Sequence, residues 1–207
     1  MTNPNYTAIA LVVDRSGSMA TMLEDAQGGI NTFIKDQKDL PGRCTVRLDQ
    51  FDGIYETLYK STDVKYVGPY VLKPRGGTAL LDAMGRGIIN FGQELADMNE
   101  ADRPANVIMV IVTDGDENSS VEWTKGAVAK LVKKQEDEFN WTFVFLAANQ
   151  DAIAVGASYG FNAGSSMTYD SANVGNTYST LSQKVGVTRS TGTWDSFTEE
   201  ERSKSKN

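Results

Sequence analysis

The fold of this chain is decided by the stretch TAIALVVDRSGS, residues 7–18. Its first seven residues are apolar or β-branched and do not alternate with polar side chains, which is typical of a parallel strand buried on both faces. At Asp14 the character changes, since Asp14, Ser16 and Ser18 place short oxygen-bearing side chains at alternate positions beside Gly17. The stretch therefore predicts a buried strand that ends in a polar loop.

Two further apolar runs resemble the first, over residues 106–113 and 141–148. Between the runs, apolar residues spaced three and four apart predict helices from Met19 until Pro41, over Leu80–Met98 and over Trp123–Lys134. Strands that alternate with helices predict an α/β fold with a doubly wound, Rossmann-like, mostly parallel sheet and helices on both faces. Such sheets bind ligands beyond the carboxyl ends of their strands.

One antiparallel element interrupts this order. Residues 44–51 and 54–59 alternate with period two about Asp52-Gly53, a dipeptide that favours a tight turn with positive φ, and so predict a β-hairpin. The weaker region from Asp151 to Gly192 is expected to hold a short helix (151–159), a last edge strand (166–169) and a final helix from about Ser171. We expect one domain over residues 6–190 and a C-terminal tail over 191–207, with 199–207 solvated and frayed.

Composition excludes several classes of site. The 207 residues include no histidine and one cysteine, so imidazole bases, His-containing triads and Cys/His zinc sites are excluded. Cys44 is expected to be a small buried residue at the start of a strand. Any bound metal should have oxygen ligands, which points to Mg²⁺, Mn²⁺ or Ca²⁺.

The balance of charged residues restricts the kinds of partner that the chain can bind. With 20 Lys+Arg and 27 Asp+Glu the net charge is 20 − 27 = −7, which disfavours nucleic acid and anionic membranes as partners. The longest aliphatic runs, Ala8–Val13 and Val107–Val112, fall far short of the roughly 18 residues of a membrane helix. The first residues do not resemble a secretory signal. We therefore expect a soluble, intracellular protein.

Three polar segments are expected to meet at the carboxyl edge of the sheet. The loop after the first strand offers Asp14, Ser16 and Ser18; the loop Gly76-Gly77-Thr78 offers a hydroxyl before a helix; and Asp114 follows the second apolar run. Two carboxylates with three hydroxyls form a hard, weakly charged ligand set that suits Mg²⁺.

These residues resemble the metal-ion-dependent adhesion site of von Willebrand factor A domains. The family pattern is Asp-x-Ser-x-Ser, then a Thr in a loop, then an Asp after a hydrophobic strand, and Asp14, Ser16, Ser18, Thr78 and Asp114 fill all five places in order. Three matched segments at strand or helix ends are a specific signal, and the resemblance covers residues 6 to 190.

The resemblance implies strand order 3-2-1-4-5-6 with the hairpin strand antiparallel. It also implies a metal, expected to be Mg²⁺ with Mn²⁺ or Ca²⁺ as alternatives, held by Ser16, Ser18 and commonly Thr78, with Asp14 and Asp114 often acting through water. A sixth position then stays open for an Asp or Glu carboxylate from a protein partner or from another copy of the chain. This is a binding device rather than an enzyme. The format resembles stand-alone bacterial tellurite-resistance-type and phage-encoded A domains, which implies a cytoplasmic location, in the host if phage-encoded.

Simpler interpretations of the same residues stay open at this stage. Ser16 and Ser18 are also good N-cap residues for a helix that begins near Met19, and Asp114 could cap the helix after its loop.

Neighbouring charges have their own alternatives. Asp116 and Glu117 either hold a second cation or form a solvated acidic loop, and we favour the loop. Asp82 is expected to accept hydrogen bonds or to complement the helix dipole rather than to bind metal. Arg15 is expected to point outward, where it either steers acidic partners or has no role, and Arg75 has the same two interpretations.

Three functions remain. The first is a Mg²⁺-dependent protein-binding module, the second a metal-dependent hydrolase or phosphotransferase at the same site, and the third a subunit of a larger intracellular machine. Against the second, the chain lacks both the Asp-x-Asp pair of aspartyl-phosphate enzymes and a Gly-x-x-x-x-Gly-Lys-[Ser/Thr] loop.

Overall fold

Apolar side chains on both faces of the central strands place a single sheet in the middle of the molecule. The computed structural model describes residues 2–206. The strands are β1 (Asn3–Asp14), β2 (Arg43–Phe51), β3 (Tyr55–Asp63), β4 (Pro104–Thr113), β5 (Trp141–Ala148) and β6 (Ser166–Tyr169). The helices are α1 (Leu23–Asp39), α2 (Leu80–Ala96), α3 (Lys125–Phe139), α4 (Ala152–Ser158), α5 (Val174–Thr191) and α6 (Glu199–Lys204).

The sheet has the order β3-β2-β1-β4-β5-β6 and is parallel except for the β2–β3 pair. The predicted fold class, including the strand order and the single antiparallel edge strand, is confirmed. Because the five strands β2, β1, β4, β5 and β6 run in the same direction, their carboxyl ends lie along one edge of the sheet, which brings the loops after β1 and β4 side by side.

Helices cover the two faces in two groups. Helices α1 and α5 pack on one face against residues such as Ile9, Leu11 and Val110. Helices α2, α3 and α4 pack on the other face against alternate residues of the same strands, including Ala10 and Met109. Each face therefore has its own hydrophobic core, as the apolar character of both strand faces predicts.

Helices α1 and α5 approach closely at a glycine. A Cβ built on Gly29 of α1 would lie 2.2 Å from the Cδ2 atom of Tyr178 of α5, so only glycine leaves room for that ring. The tyrosine is buried, and its ring fills the space between α1 and α5.

The hairpin turn differs from its prediction. Gly53 does not adopt a positive φ, and the connection is a three-residue loop in which the Asp52 carboxylate accepts the N–H of Ile54 at 2.6 Å. Ile54 is consequently outside β3 and exposed, while β3 continues to Asp63. The predicted tight turn was wrong because the side chain of Asp52 forms a turn that glycine was expected to supply.

The C-terminal end of the chain also differs from its prediction. Residues 199–204 form α6, which begins with a capping box between Thr198 and Glu201. Arg202 donates to the carbonyl oxygens of Ser166 and Ala163, and the carbonyl of Ser205 accepts the N–H of Asp170 at 2.9 Å. The predicted fraying of the tail was wrong through residue 206, because α6 docks against β6, whereas Glu199, Glu200 and Lys204 are exposed as expected. Asn207 lies outside the described residues. The domain limits 6–190 and 191–207 remain predictions.

Candidate metal centre

Asp14 is the last residue of β1 and its carboxylate has no solvent exposure. One oxygen accepts the N–H of Ser16 at 2.7 Å, which turns the chain out of the strand, and the other accepts the hydroxyl of Thr113 at 2.6 Å. Burial raises the pKa of Asp14 to about 6, although the hydrogen bonds from Thr113 and Ser16 oppose the shift. The position therefore holds a carboxylate that would be stabilised by a nearby cation.

The three predicted hydroxyls converge on one point. A Cβ built on Gly115 would lie 3.2 Å from the Ser18 Oγ, 3.2 Å from the Thr78 Oγ1 and 3.8 Å from the Ser16 Oγ. Ser16 and Thr78 are buried, whereas Ser18 is exposed at the rim. The absence of a side chain at Gly115 leaves a small space that the hydroxyl oxygens surround.

Asp114 supplies the second carboxylate from the end of β4. Its Oδ1 accepts the hydroxyl of Ser18 at 2.7 Å, and the Ser16 and Ser18 hydroxyls lie 3.1 Å apart. Burial raises the pKa of Asp114, and the Ser18 hydrogen bond partly offsets the rise. The structure thus brings all five predicted residues, Asp14, Ser16, Ser18, Thr78 and Asp114, to one place.

Backbone hydrogen bonds fasten the three loops together. Gly17 N–H donates to the carbonyl of Gly76 at 3.1 Å, which ties the loop after β1 to the loop before α2. Thr78 is held from the other side by Asn118, whose side chain accepts the Thr78 N–H at 2.9 Å and whose own N–H donates to the Thr78 carbonyl at 3.0 Å. The hydroxyls are therefore carried on segments with fixed relative positions.

The helix-capping interpretation of these residues was wrong. Ser16 occupies the N-cap position of the short 3₁₀ helix Gly17–Met22, but its side chain makes no capping hydrogen bond. Helix α3 begins at Lys125 and is capped by Thr124, ten residues after Asp114.

Two further acidic residues fasten the loop after β4 to α2. Asp82 accepts the N–H groups of Val121, Glu122 and Trp123, each at 2.9 Å, which confirms its predicted role as an acceptor. Glu117 accepts the N–H of Leu81 at 2.9 Å, at the positive N-terminal end of α2. Neither carboxylate is gathered with the five residues of the candidate centre.

Glu117 departs from the solvated loop that the sequence predicted. Its carboxylate also accepts the N–H groups of Ser119 and Ser120, at 3.0 and 2.8 Å, so it is a structural anchor. Asp116 is exposed, as expected for a solvated loop residue.

Arg15 lies opposite to its predicted orientation. Its side chain is 5% exposed and pairs with Asp52 and Glu56 of the hairpin instead of pointing outward. The alternation that turns Asp14, Ser16 and Ser18 towards the centre turns Arg15 to the other side of the loop. Sequence reasoning missed Asp52 and Asn118 as supports of the site, because Asp52 was taken as a turn residue and nothing in the sequence distinguishes Asn118.

The donor chemistry fits a hard divalent cation. The site offers two carboxylates and three hydroxyls, of which Ser16, Ser18 and Asp114 are linked by hydrogen bonds. Within residues 2–206 no group of three or more Asp, Glu or Cys side chains is placed to hold a metal. A set with few carboxylates neutralises a dication incompletely, which leaves attraction for a further anion.

No protein-family model and no curated protein matches the sequence. Solved structures do match. A von Willebrand factor type A protein from Catenulispora acidiphila aligns over 86% of this chain and 42% of its own, with 15% identity and a TM-score of 0.59. The chain has the von Willebrand factor A fold.

Two more structures share this fold. Proximal thread matrix protein 1 from the mussel byssus aligns over 87% of this chain and 45% of its own, with 14% identity and a TM-score of 0.60. The corresponding domain of a type V pili tip protein from Porphyromonas gingivalis aligns over 87% of this chain and 95% of its own, with 11% identity and a TM-score of 0.60. The chain spans less than half the length of the Catenulispora acidiphila and mussel structures, at 42% and 45%.

Proposed function

We propose that this chain is a Mg²⁺-dependent protein-binding module that takes an Asp or Glu carboxylate from a partner, either another protein or a second copy of itself. The observation that carries the proposal is the convergence of the Ser16, Ser18 and Thr78 hydroxyls beside Gly115. The Asp114 carboxylate accepts the Ser18 hydroxyl, and the Asp14 carboxylate accepts the Ser16 N–H. Mn²⁺ and Ca²⁺ are alternative ions with the same ligand preference.

Each residue has a distinct part. Ser16, Ser18 and Thr78 would supply hydroxyl oxygens to the metal, while Asp14 and Asp114 would lie beside it and balance its charge. When bound, Mg²⁺ would supply an open coordination position for one carboxylate oxygen. Asp82, Glu117 and Asn118 do not bind the ion in this account; they hold the loops in place through backbone N–H groups.

The comparisons support this proposal at the level of the fold. One structure of the mussel byssus protein is described as having a zinc-occupied MIDAS motif, and others that match are a pilus tip protein and a pilus adhesin from Lactobacillus rhamnosus GG. The fold is thus found in proteins of matrices and pili. We propose that this chain acts as a subunit or adaptor of a larger intracellular complex.

We propose binding rather than catalysis because all five residues of the site are assigned to holding the metal, which leaves none of them as a base or nucleophile. The chain has no histidine, Cys44 is buried near the opposite end of the sheet, and the carboxylates of Asp82 and Glu117 are occupied by backbone N–H groups. A cytoplasmic location also remains a proposal. Within residues 2–206 no helix is long and apolar enough to cross a membrane.

Selection from a random peptide library would test this function. Immobilised protein is exposed to the library in Mg²⁺ and eluted with EDTA. We expect the enriched peptides to share an Asp or Glu whose replacement by Asn or Gln abolishes binding. Asp14→Ala should enrich nothing, whereas Asp116→Ala, which removes an exposed carboxylate from the neighbouring loop, should select the same peptides.

Enrichment that persists in EDTA, or that does not depend on an acidic residue, would contradict the proposal. Turnover of phosphoester substrates that disappears in Asp114→Asn would show instead that the site is catalytic.

A further inference from the structure

Arg15 is a buried cation placed between two residues of the candidate metal centre. Its neighbours Asp14 and Ser16 face the centre, while its own side chain lies beneath the loop with 5% exposure. Burying an arginine is unfavourable unless carboxylates accompany it, so its partners identify what holds it there.

Those partners are on the hairpin. Arg15 Nε lies 3.0 Å from the Asp52 Oδ2, and Arg15 Nη1 lies 2.5 Å from the Glu56 Oε2. Asp52 is shared, because its Oδ2 also accepts a hydrogen bond from Arg75 Nε at 2.6 Å. Burial works against the ionised form of Asp52, but Arg75, the Ile54 N–H and Arg15 together hold its pKa below the ordinary value. Glu56, Arg15, Asp52 and Arg75 are thus joined in a row by three ion pairs.

Main-chain hydrogen bonds follow the same path. Arg15 N–H donates to the Phe51 carbonyl at 2.7 Å, and the Arg15 carbonyl accepts the N–H of Arg75 at 2.8 Å. The Asp52 carbonyl accepts the N–H of Ala79, next to Thr78, at 3.0 Å. The backbone and side chain of Arg15 therefore both connect the loop that carries Ser16 to the segment that carries Thr78.

We propose that Arg15 and Asp52 form a positioning pair that sets the spacing between the Ser16 and Thr78 hydroxyls at the metal centre. The inference rests on the metal binding proposed above. Neither residue touches the ion; both act through the loops that they join. Partners of this kind, when removed, typically weaken metal binding by 10-fold to 100-fold.

The direction in which Mg²⁺ affinity changes when Arg15 is removed separates a positioning role from a direct effect of its charge. Removing a positive charge near a cation site should strengthen the binding of Mg²⁺ if charge alone mattered. Loss of an anchor should weaken it, because the hydroxyls would no longer be held at a common point. Arg15→Met should therefore lower the Kd for Mg²⁺ if only charge matters, and raise it if Arg15 positions the loops.

Isothermal titration of Mg²⁺ into metal-stripped protein tests the pair. We expect Arg15→Met and Asp52→Asn each to raise the Kd 10-fold to 100-fold, and the charge-balanced double variant to be no weaker than the weaker single variant, since the two residues act as a unit. Arg15→Lys, which keeps the charge and one ion pair, should bind with an intermediate Kd. Arg86→Met, which breaks the exposed Arg86–Glu122 pair, is the matched control and should change the Kd less than twofold.

Each variant is titrated below its own unfolding midpoint in EDTA, so that a loss of stability is not counted as a loss of binding. Should Arg15→Met fail to fold, Asp52→Asn and Arg15→Lys still test the pair. An unchanged or lower Kd in the Arg15 variants overturns the positioning role while leaving the proposed function intact. If the wild type does not bind Mg²⁺, the proposed function is wrong and this inference falls with it.

Discussion

At the scale of single residues, Asp14 combines features that are costly without a cation. It is fully buried at the end of an apolar strand, where hydrogen bonds from Ser16 and Thr113 accompany its charge but no cationic side chain is paired with it among the described residues. The sequence predicted its place in the site from the alternation of Asp14, Ser16 and Ser18. It could not predict the depth of burial, because that depends on strands that are distant in the chain.

Asp14→Asn should stabilise the metal-free protein at pH 7.5. The folded-state pKa of Asp14, about 6, is above its ordinary value of 3.8, so the stability that this group contributes is present at low pH and lost as pH rises through about 6. A neutral, isosteric amide removes that loss, and we expect a gain of about 1–3 kcal/mol. Urea unfolding in EDTA, at pH 5 and pH 7.5, measures the gain, which should shrink at the lower pH.

The same substitution should abolish stabilisation by Mg²⁺. A loss of stability in EDTA at pH 7.5, or a gain that is the same at both pH values, would show that the buried charge is not the source of the effect.

Gly115→Ala tests the centre without removing any proposed ligand. Gly115 does not adopt a positive φ, so alanine adds only a methyl group, at 3.2 Å from the Ser18 and Thr78 hydroxyl oxygens. We expect the stability in EDTA to fall by no more than about 1 kcal/mol and Mg²⁺ binding to be lost. Gly28→Ala in α1, where a Cβ meets no atom within 4 Å, is the control and should bind Mg²⁺ like the wild type. Undiminished Mg²⁺ binding by Gly115→Ala would place the ion elsewhere.

At the scale of elements, the hydrophobic pattern correctly predicted the strands and helices whose formation depends on the residues within the element. The run over residues 141–148 is β5 as predicted, and 166–169 is β6. The hydrophobic pattern did not predict the hairpin loop or α6, because hydrogen bonds of polar side chains form both. Asp52 forms the hairpin loop through its carboxylate, and α6 depends on a capping box and on Arg202, neither of which a hydrophobic period reveals.

Arg202→Ala should destabilise the fold through the edge of the sheet. The Arg202 guanidinium donates to the carbonyls of Ser166 and Ala163 and holds α6 against β6. Because hydrogen bonds from a charged donor are stronger than neutral ones, we expect a loss of about 2 kcal/mol in the free energy of unfolding. Lys204→Ala, which removes the exposed pair with Glu200, should leave the free energy of unfolding nearly unchanged. Equal losses in the two variants, measured by urea unfolding, would mean that α6 contributes little beyond its surface charges.

At the scale of the whole molecule, the α/β class and the meeting of the five candidate residues could be predicted from the sequence, since strand ends in a doubly wound sheet meet at one edge. The strand order followed from the resemblance to von Willebrand factor A domains. The residues that hold the site's loops in place could not be predicted from the sequence. Arg15 was expected to be exposed, and its burial depends on Asp52 and Glu56, which reach it only because the hairpin folds beside β1. Local motifs identify ligands, whereas the partners that position them depend on the tertiary fold.

The net charge of −7 should repel an acidic partner. Arg15 and Arg75 were the candidate charges for steering an acidic partner, yet both are paired with carboxylates of the hairpin. In the proposed function the attraction for a carboxylate therefore has to come from the ion itself.

Isothermal titration of Mg²⁺ into metal-stripped wild-type protein shows whether Asp14, Ser16, Ser18, Thr78 and Asp114 hold a metal. We expect one binding site per chain, loss of the binding heat in Asp14→Ala, and an unchanged titration in Asp116→Ala. No binding heat in the wild type together with an unchanged unfolding temperature in Mg²⁺, or an undiminished titration in Asp14→Ala, would contradict this expectation.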